Sequence, residues 1–162
     1  MLFRSADLVY PKNIGKVRLR SNDSGKFESR ASRLLAVPNN PSVFAEGMDG
    51  SELYAPTDHG EGKFSFSPKL LNYVLENNLI VFKYIDPKDG YPTMSYPSNP
   101  NGSPWGIAGI TSKDGRVLIM MPHPERAWLI ETDPWKEGYI ESLPKMGPYF
   151  KLAQNAYDWC TR

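Results

Sequence analysis

Cysteine, histidine and long apolar runs are scarce in this sequence. Its 162 residues include one cysteine and two histidines. A single cysteine cannot form an internal disulfide or a thiolate metal cluster, which favours a reducing compartment. No apolar run reaches the roughly 18 residues that cross a bilayer, and the first residues lack the apolar stretch and cleavage site of a secretory signal. We therefore predict a cytoplasmic protein that does not act on membranes.

A large net charge is also missing. The 19 basic and 18 acidic residues leave a formal charge of +1, which provides no overall field for capturing nucleic acid. We therefore expect no nucleic-acid partner. Six basic residues lie between positions 16 and 33 with only two acids among them. A solvated strand face is the ordinary interpretation of such a run, and a docking face for an acidic partner is the alternative.

Length and composition indicate one globular domain over residues 1–162. Hydrophobic residues make up 40% of the chain and charged residues 23%, as in ordinary globular proteins. Helical spacing predicts a helix at the amino terminus, one after Pro68 and one at the carboxyl terminus. Cys160 falls on the apolar face of the last helix, which predicts a buried packing residue and not a nucleophile.

The middle of the chain has the pattern of strands and turns. We predict two strands joined by a turn at 22–25, a strand, turn and strand around 58–62, and a buried strand at 79–85. Residues 107–121 indicate a hairpin with Asp114 and Gly115 at its turn. The mixture of helices and strands indicates an α/β fold.

The most distinctive motif is Met-Met-Pro-His-Pro-Glu-Arg at 120–126. Each proline pushes the residue before it out of helical geometry, so His123 is expected in an extended stretch at the end of a strand. Side chains two positions apart then point the same way, which brings the Glu125 carboxylate to the His123 ring. A carboxylate on one ring nitrogen fixes the tautomer and leaves the other nitrogen to accept a proton. The motif has the spacing of a general base and its orienting acid, and a structural histidine satisfied by a carboxylate is the alternative.

The second histidine repeats the same spacing in His59-Gly60-Glu61. Two such pairs contain the ligand types of a divalent metal site. The glycine favours instead a loop whose backbone approaches another group. A base also needs a nucleophile, and the sequence has no Gly-x-Ser-x-Gly elbow. It has no phosphate-binding glycine loop with a lysine either.

Four segments together resemble a known enzyme family. They are NDSGKFESR at 22–30, DHGEGKF at 58–64, YPSNPNGSPWGIAGITSKDGRVLIMMPHPER at 96–126 and GPYFKLAQNAYDW at 147–159. In this order they are similar to the carboxyl-terminal part of the class I glutamine amidotransferase domain in the phosphoribosylformylglycinamidine synthase family. The resemblance implies an α/β fold with a flavodoxin-like open sheet flanked by helices.

The resemblance also implies a ligase whose glutaminase half supplies ammonia from glutamine. The ammonia serves the ATP-dependent amidation of formylglycinamide ribonucleotide in de novo purine biosynthesis. A Cys-His-Glu triad releases it through a thioester, and His123 matches the triad histidine while Glu125 matches the triad glutamate. The family more often has serine or alanine at position 58. The residues that match the loop lining the glutamine pocket are Asp58, His59, Gly60 and Glu61.

The family's nucleophile elbow, Cys-Asn-Gly-Cys-Gln, does not occur in this sequence. In the family it precedes a helix that resembles residues 1–11. The resemblance therefore implies a partial domain without its amino-terminal strands and elbow, and we predict no glutaminase activity from these residues alone, because the base has no thiol to activate.

The implied partners are glutamine, an amino-terminal segment that supplies the cysteine, and the synthetase portion of the same enzyme. ATP and magnesium are expected in that portion, and no cofactor or metal is expected in this chain. Two alternatives stay open. One is a noncatalytic binding or scaffold domain that keeps the amidotransferase fold, and the other is a metal-dependent hydrolase built on the two His-x-Glu pairs.

Overall fold

The computed structural model of the protein describes residues 10–11, 13–133 and 146–162. The predicted amino-terminal helix lies outside these residues. None of the helices that are described is long and apolar enough to cross a membrane. The strands are β1 (Arg18–Arg20), β2 (Glu28–Ala36), β3 (Glu52–His59), β4 (Lys63–Ser65), β5 (Ile80–Tyr84), β6 (Ile107–Thr111) and β7 (Leu118–Met120), and the helices are α1 (Pro68–Glu76) and α2 (Phe150–Thr161).

Five strands form the main sheet in the order β3-β2-β5-β6-β7, and β1 pairs with β4 in a separate two-stranded sheet. Each of these pairings is antiparallel. The predicted α/β fold with an open sheet flanked by helices is confirmed. The antiparallel order places the long strand β3 at one edge, where it leads directly into the turn at residues 60–62.

The central strands of the main sheet, β5 and β6, are buried on both faces. Leu70 and Val74 of α1 belong to one apolar cluster, and Leu152 of α2 belongs to the other. All five residues of β6 are buried, as expected for a strand covered from both sides. The helices therefore hold the sheet between them.

Helix α1 begins and ends at positions that the sequence marks. The Ser67 hydroxyl accepts a hydrogen bond from the N–H of Leu70 at 3.2 Å, which satisfies an amide at the helix start. Pro68 follows at the first helical position, where a missing N–H costs nothing. Asn78, just after the helix, has a φ of 54°, which is typical of the residue that ends a helix.

Strand pairing follows the predicted hairpin in one place and departs from prediction in another. Strands β6 and β7 pair across the turn that contains Asp114, as predicted, with Ile110 opposite Ile119. The strands on either side of the turn at 22–25 do not pair with each other. Strand β1 pairs with β4, and β2 pairs with β3 and β5.

Helix α2 is present as predicted, but the prediction that Cys160 is buried is wrong. Cys160 is exposed, and the buried positions of the helix are Leu152 and Asn155. The Asn155 amide donates to the carbonyls of Phe44 and Glu46, each at 2.8 Å. These bonds turn a polar residue of α2 toward the segment at 44–46, and Cys160 lies on the outer side.

Arg30 and Arg33, members of the basic run between positions 16 and 33, form ion pairs within the chain. Arg30 pairs with Glu28, and Arg33 pairs with Glu52. Both acids lie on the same sheet as the arginines. These two residues are thus part of a paired strand face, which fits the ordinary interpretation of the basic run.

Candidate functional site

His123 and Glu125 form the pair that the sequence predicts. His123 Nδ1 lies 2.6 Å from Glu125 Oε1. The side chains are 31% and 58% exposed, respectively. Glu125 belongs to a short 3₁₀ turn, Pro124–Arg126, so a turn and not an extended stretch brings the two groups together. The contact at Nδ1 leaves Nε2 of an accessible ring for another partner.

Two contacts fix the His123 motif to strand β3. The backbone N–H of His123 donates to the carbonyl of Pro56 at 2.7 Å. The Arg126 guanidinium donates to the Asp58 carboxylate. Hydrogen bonds from Ser29 and from Arg126 lower the pKa of Asp58, so this carboxylate stays charged. Asp58 thereby acts on the motif through its side chain, and the loop carrying the histidine cannot shift along β3 without breaking both contacts.

Hydrogen bonds from Asn22 hold the turn after β3. The Asn22 side-chain amide donates to the carbonyls of His59, at 2.7 Å, and Lys26, at 2.9 Å. Its side-chain oxygen accepts from the N–H of Gly62 at 3.0 Å, and its backbone N–H donates to the carbonyl of Gly60 at 2.9 Å. The segment at 22–30 thus gains a structural role that the sequence could not assign to it.

The His59 side chain is turned into the protein. It is 8% exposed, and neither ring nitrogen has a hydrogen-bond partner among the described residues. Burial lowers the pKa of His59, which favours the neutral ring. A neutral, buried ring does not present a nitrogen to a ligand at the surface, so only the backbone of His59 is available there.

The ring of His59 packs against Gly62. A Cβ at Gly62 would lie 2.1 Å from Cε1 of the His59 ring, whereas a Cβ at Gly60 would meet only the Phe27 ring, at 3.8 Å. Neither glycine has a φ in the left-handed region. Gly60 and Gly62 therefore differ in how closely other atoms pack against them, and not in backbone strain.

We expect Gly62→Ala to lower the free energy of unfolding by about 1–3 kcal/mol, because the new methyl group must displace a buried ring. Gly60→Ala should change it by less than about 0.5 kcal/mol, because its methyl group meets ordinary contact distances. Denaturant unfolding of the two variants beside the unaltered protein measures the difference. Equal effects of the two substitutions would show that His59 does not occupy this position.

Polar side chains also connect β2 to the loop at residue 96. Glu28 is 2% exposed and lies opposite His59 across the β2–β3 ladder. Arg30 pairs with Glu28, donates to the Tyr96 hydroxyl at 2.9 Å and lies 5.0 Å from the centre of the Tyr96 ring. These contacts join Glu28 and Arg30 to the segment that begins at Tyr96.

The described residues bring no thiol to His123. The start of α2 lies near the loop after His123, because the Phe150 and Trp128 rings are 6.1 Å apart. Cys160 is ten residues farther along the helix, about 15 Å away at the usual rise. The chain's only cysteine is therefore at the far end of α2.

The other His-x-Glu pair does not complete a metal site. Within the ranges 10–11, 13–133 and 146–162, no group of three histidine, cysteine or carboxylate side chains could hold an ion. The His59 ring is buried while Glu61 is exposed. The repeated spacing in the sequence thus does not give a repeated arrangement in space.

The chain is similar to segments of longer proteins. The sequence matches the CobB/CobQ-like glutamine amidotransferase domain over residues 2–160. An Arabidopsis thaliana protein named probable phosphoribosylformylglycinamidine synthase, chloroplastic/mitochondrial, is 43% identical over 145 residues, which cover 88% of this chain and 10% of that protein. Phosphoribosylformylglycinamidine synthase of Dictyostelium discoideum is 40% identical over 88% of this chain, and that of Drosophila melanogaster is 39% identical over 90%.

The fold is similar to a chain in the solved structure of PurLQS from Thermotoga maritima, with a TM-score of 0.60 and 25% identity. The similarity covers 90% of this chain and 53% of that one. The chain spans 10–11% of the length of the curated relatives named above. Because the family match extends over nearly the whole sequence, the chain belongs to the CobB/CobQ-like glutamine amidotransferase domain family.

Proposed function

We propose that these residues form the part of a glutaminase site that carries the general base and the substrate loop. The observation that supports this function best is the bond between His123 Nδ1 and Glu125 Oε1 in an accessible pair. The carboxylate orients the ring and stabilises the imidazolium that forms when Nε2 takes a proton.

The chemistry requires a thiol, which we propose comes from an amino-terminal amidotransferase segment of the same enzyme. Nε2 of His123 removes the thiol proton as sulfur attacks the side-chain amide carbon of glutamine. The C–N bond then breaks, the imidazolium returns the proton to the leaving nitrogen, and ammonia departs from a thioester. Water, activated in turn by His123, hydrolyses the thioester to glutamate and restores the thiol.

The turn from Asp58 to Glu61 is the proposed glutamine-binding loop. The carbonyls of His59 and Gly60 are bonded to Asn22, and we propose that the N–H groups of Gly60 and Glu61 bind the substrate. Asp58 contributes indirectly, because its carboxylate holds Arg126 of the His123 motif.

The relatives' names suggest the larger reaction. We propose that the chain is the glutaminase portion of a phosphoribosylformylglycinamidine synthase, a ligase of purine biosynthesis. Its ammonia would be consumed in a separate synthetase portion that amidates formylglycinamide ribonucleotide with ATP and magnesium. A cytoplasmic location remains a prediction from the scarcity of cysteine.

The proposal is tested on the full-length protein in which these residues occur. Product formation from formylglycinamide ribonucleotide and ATP is measured with glutamine and, separately, with ammonium chloride as the nitrogen source. We expect both sources to support the reaction, and we expect no ammonia release from glutamine by the 162 residues alone. Activity with ammonium but none with glutamine would contradict the glutaminase function and favour the scaffold alternative.

A further inference from the structure

We propose that Asn22 is a positioning residue of the glutamine-binding loop, and that it fixes the affinity for the substrate without contacting the substrate. This inference rests on the proposed function. The geometry that supports it is the set of hydrogen bonds from one buried residue to three of the four residues between His59 and Gly62.

Asn22 is 4% exposed. Its side-chain amide donates to the carbonyl of His59, its side-chain oxygen accepts from the N–H of Gly62, and its backbone N–H donates to the carbonyl of Gly60. The turn is therefore bonded at both ends and in its middle. A further bond from the same amide to the carbonyl of Lys26 ties Asn22 to its own segment.

Only a carboxamide satisfies these partners together. The two carbonyls need donors and the Gly62 N–H needs an acceptor, and an asparagine side chain supplies both. An aspartate would keep the acceptor but place a charged oxygen against the two carbonyls. With aspartate or alanine at position 22, buried polar groups of the turn would lose their partners, and the turn would relax toward solvent.

Three of the four residues of the turn contribute little side-chain packing of their own. Gly60 and Gly62 provide no side chains for packing, and Glu61 is exposed. A loop that binds a ligand through backbone N–H groups gains affinity when its shape is fixed before binding. Asn22 is bonded to the turn, so replacement of its side chain should weaken substrate binding more than it slows proton transfer at His123.

Asn155 provides a matched control. It is 3% exposed, and its amide also donates to two carbonyls of a distant turn, those of Phe44 and Glu46. Substitution of either asparagine by alanine removes buried bonds of the same kind. Only Asn22 is bonded to the candidate loop.

The experiment compares Asn22→Ala, Asn22→Asp and Asn155→Ala in the full-length protein. We expect Asn22→Ala to raise KM for glutamine about tenfold or more, a loss comparable to that of one or two hydrogen bonds, with a smaller change in kcat. The rate with ammonium should stay within about twofold of the unaltered protein. Asn155→Ala should lower the melting temperature by a similar amount while leaving KM unchanged.

Three outcomes would overturn the inference while the unaltered protein uses glutamine. They are an unchanged KM in Asn22→Ala, an equal rise of KM in Asn155→Ala, and an equal loss of the ammonium-dependent rate. If Asn22→Ala does not fold, Asn22→Asp decides the question, because it is close to isosteric and should raise KM by itself. An unaltered protein without glutamine-dependent activity would overturn the proposed function as well as this inference.

Discussion

Replacing His123 by asparagine in the full-length protein should lower the glutamine-dependent rate by about 10³-fold or more. The substitution keeps a polar side chain beside Glu125 but removes the nitrogen that takes the thiol proton and returns it to ammonia. The loss should fall mainly on kcat, because the proton transfers occur only after glutamine is bound. Steady-state kinetics with glutamine as the nitrogen source measure it.

The same variant contains its own control. With ammonium chloride as the nitrogen source, the reaction bypasses the glutaminase site, and the rate of His123→Asn should match that of the unaltered protein within about twofold. A glutamine-dependent rate within tenfold of the original would contradict the assignment of His123 as the base. Loss of both rates would indicate a folding defect.

Glu125→Gln should lower the glutamine-dependent kcat by about 10²-fold or more. A glutamine side chain can offer an N–H where the carboxylate stood, which favours the wrong ring tautomer, and it no longer balances the charge of the imidazolium. Glu125 is 58% exposed, so solvent screens part of its charge. We therefore expect a smaller loss than for His123→Asn.

Glu46→Gln is a matched control for this substitution. Glu46 is similarly exposed, at 53%, and pairs with Arg162 at the end of α2. Its replacement should leave the glutamine-dependent kcat unchanged within about twofold. If Glu125→Gln were as active as Glu46→Gln, the contact between Glu125 and His123 would have no catalytic role.

The parts of the fold that could be predicted are those fixed by neighbours in sequence. Ser67 and Pro68 mark the start of α1, and Asp114 with Gly115 marks the turn between β6 and β7. The pair of His123 and Glu125 is local in the same way, because two residues of separation suffice to place one beside the other. Such features depend on chain stereochemistry and not on distant packing.

The parts that were missed depend on contacts between distant segments. Asn22 bonds residues about 40 positions away, and nothing near it in sequence indicates a turn in need of support. Asn155 turns a different side of α2 inward from the one predicted, and its partners lie more than 100 residues earlier in the sequence. The prediction that Cys160 is buried was wrong because these distant partners cannot be identified from the sequence. A buried asparagine looks the same in sequence as an exposed one.

The burial of the His59 ring also could not be predicted from the sequence. The His-x-Glu spacing suggests two equivalent pairs, but the ring of His59 fits against Gly62 while that of His123 meets its carboxylate. Only His123 is therefore a candidate for proton transfer. The two rings thus differ in their surroundings, because the His59 ring packs against Gly62 and the His123 ring contacts Glu125.

The most direct measurement of the central claim is the tautomer of His123, by ¹⁵N NMR of the labelled protein. These 162 residues contain two histidines, and in the full-length protein the signals of His123 are those that a His123→Asn variant lacks. At a pH where the ring is neutral, we predict a protonated Nδ1 and an unprotonated Nε2, because the carboxylate of Glu125 holds the proton at Nδ1. A neutral His123 ring protonated at Nε2 would contradict the account, because that nitrogen could then accept no proton from a thiol.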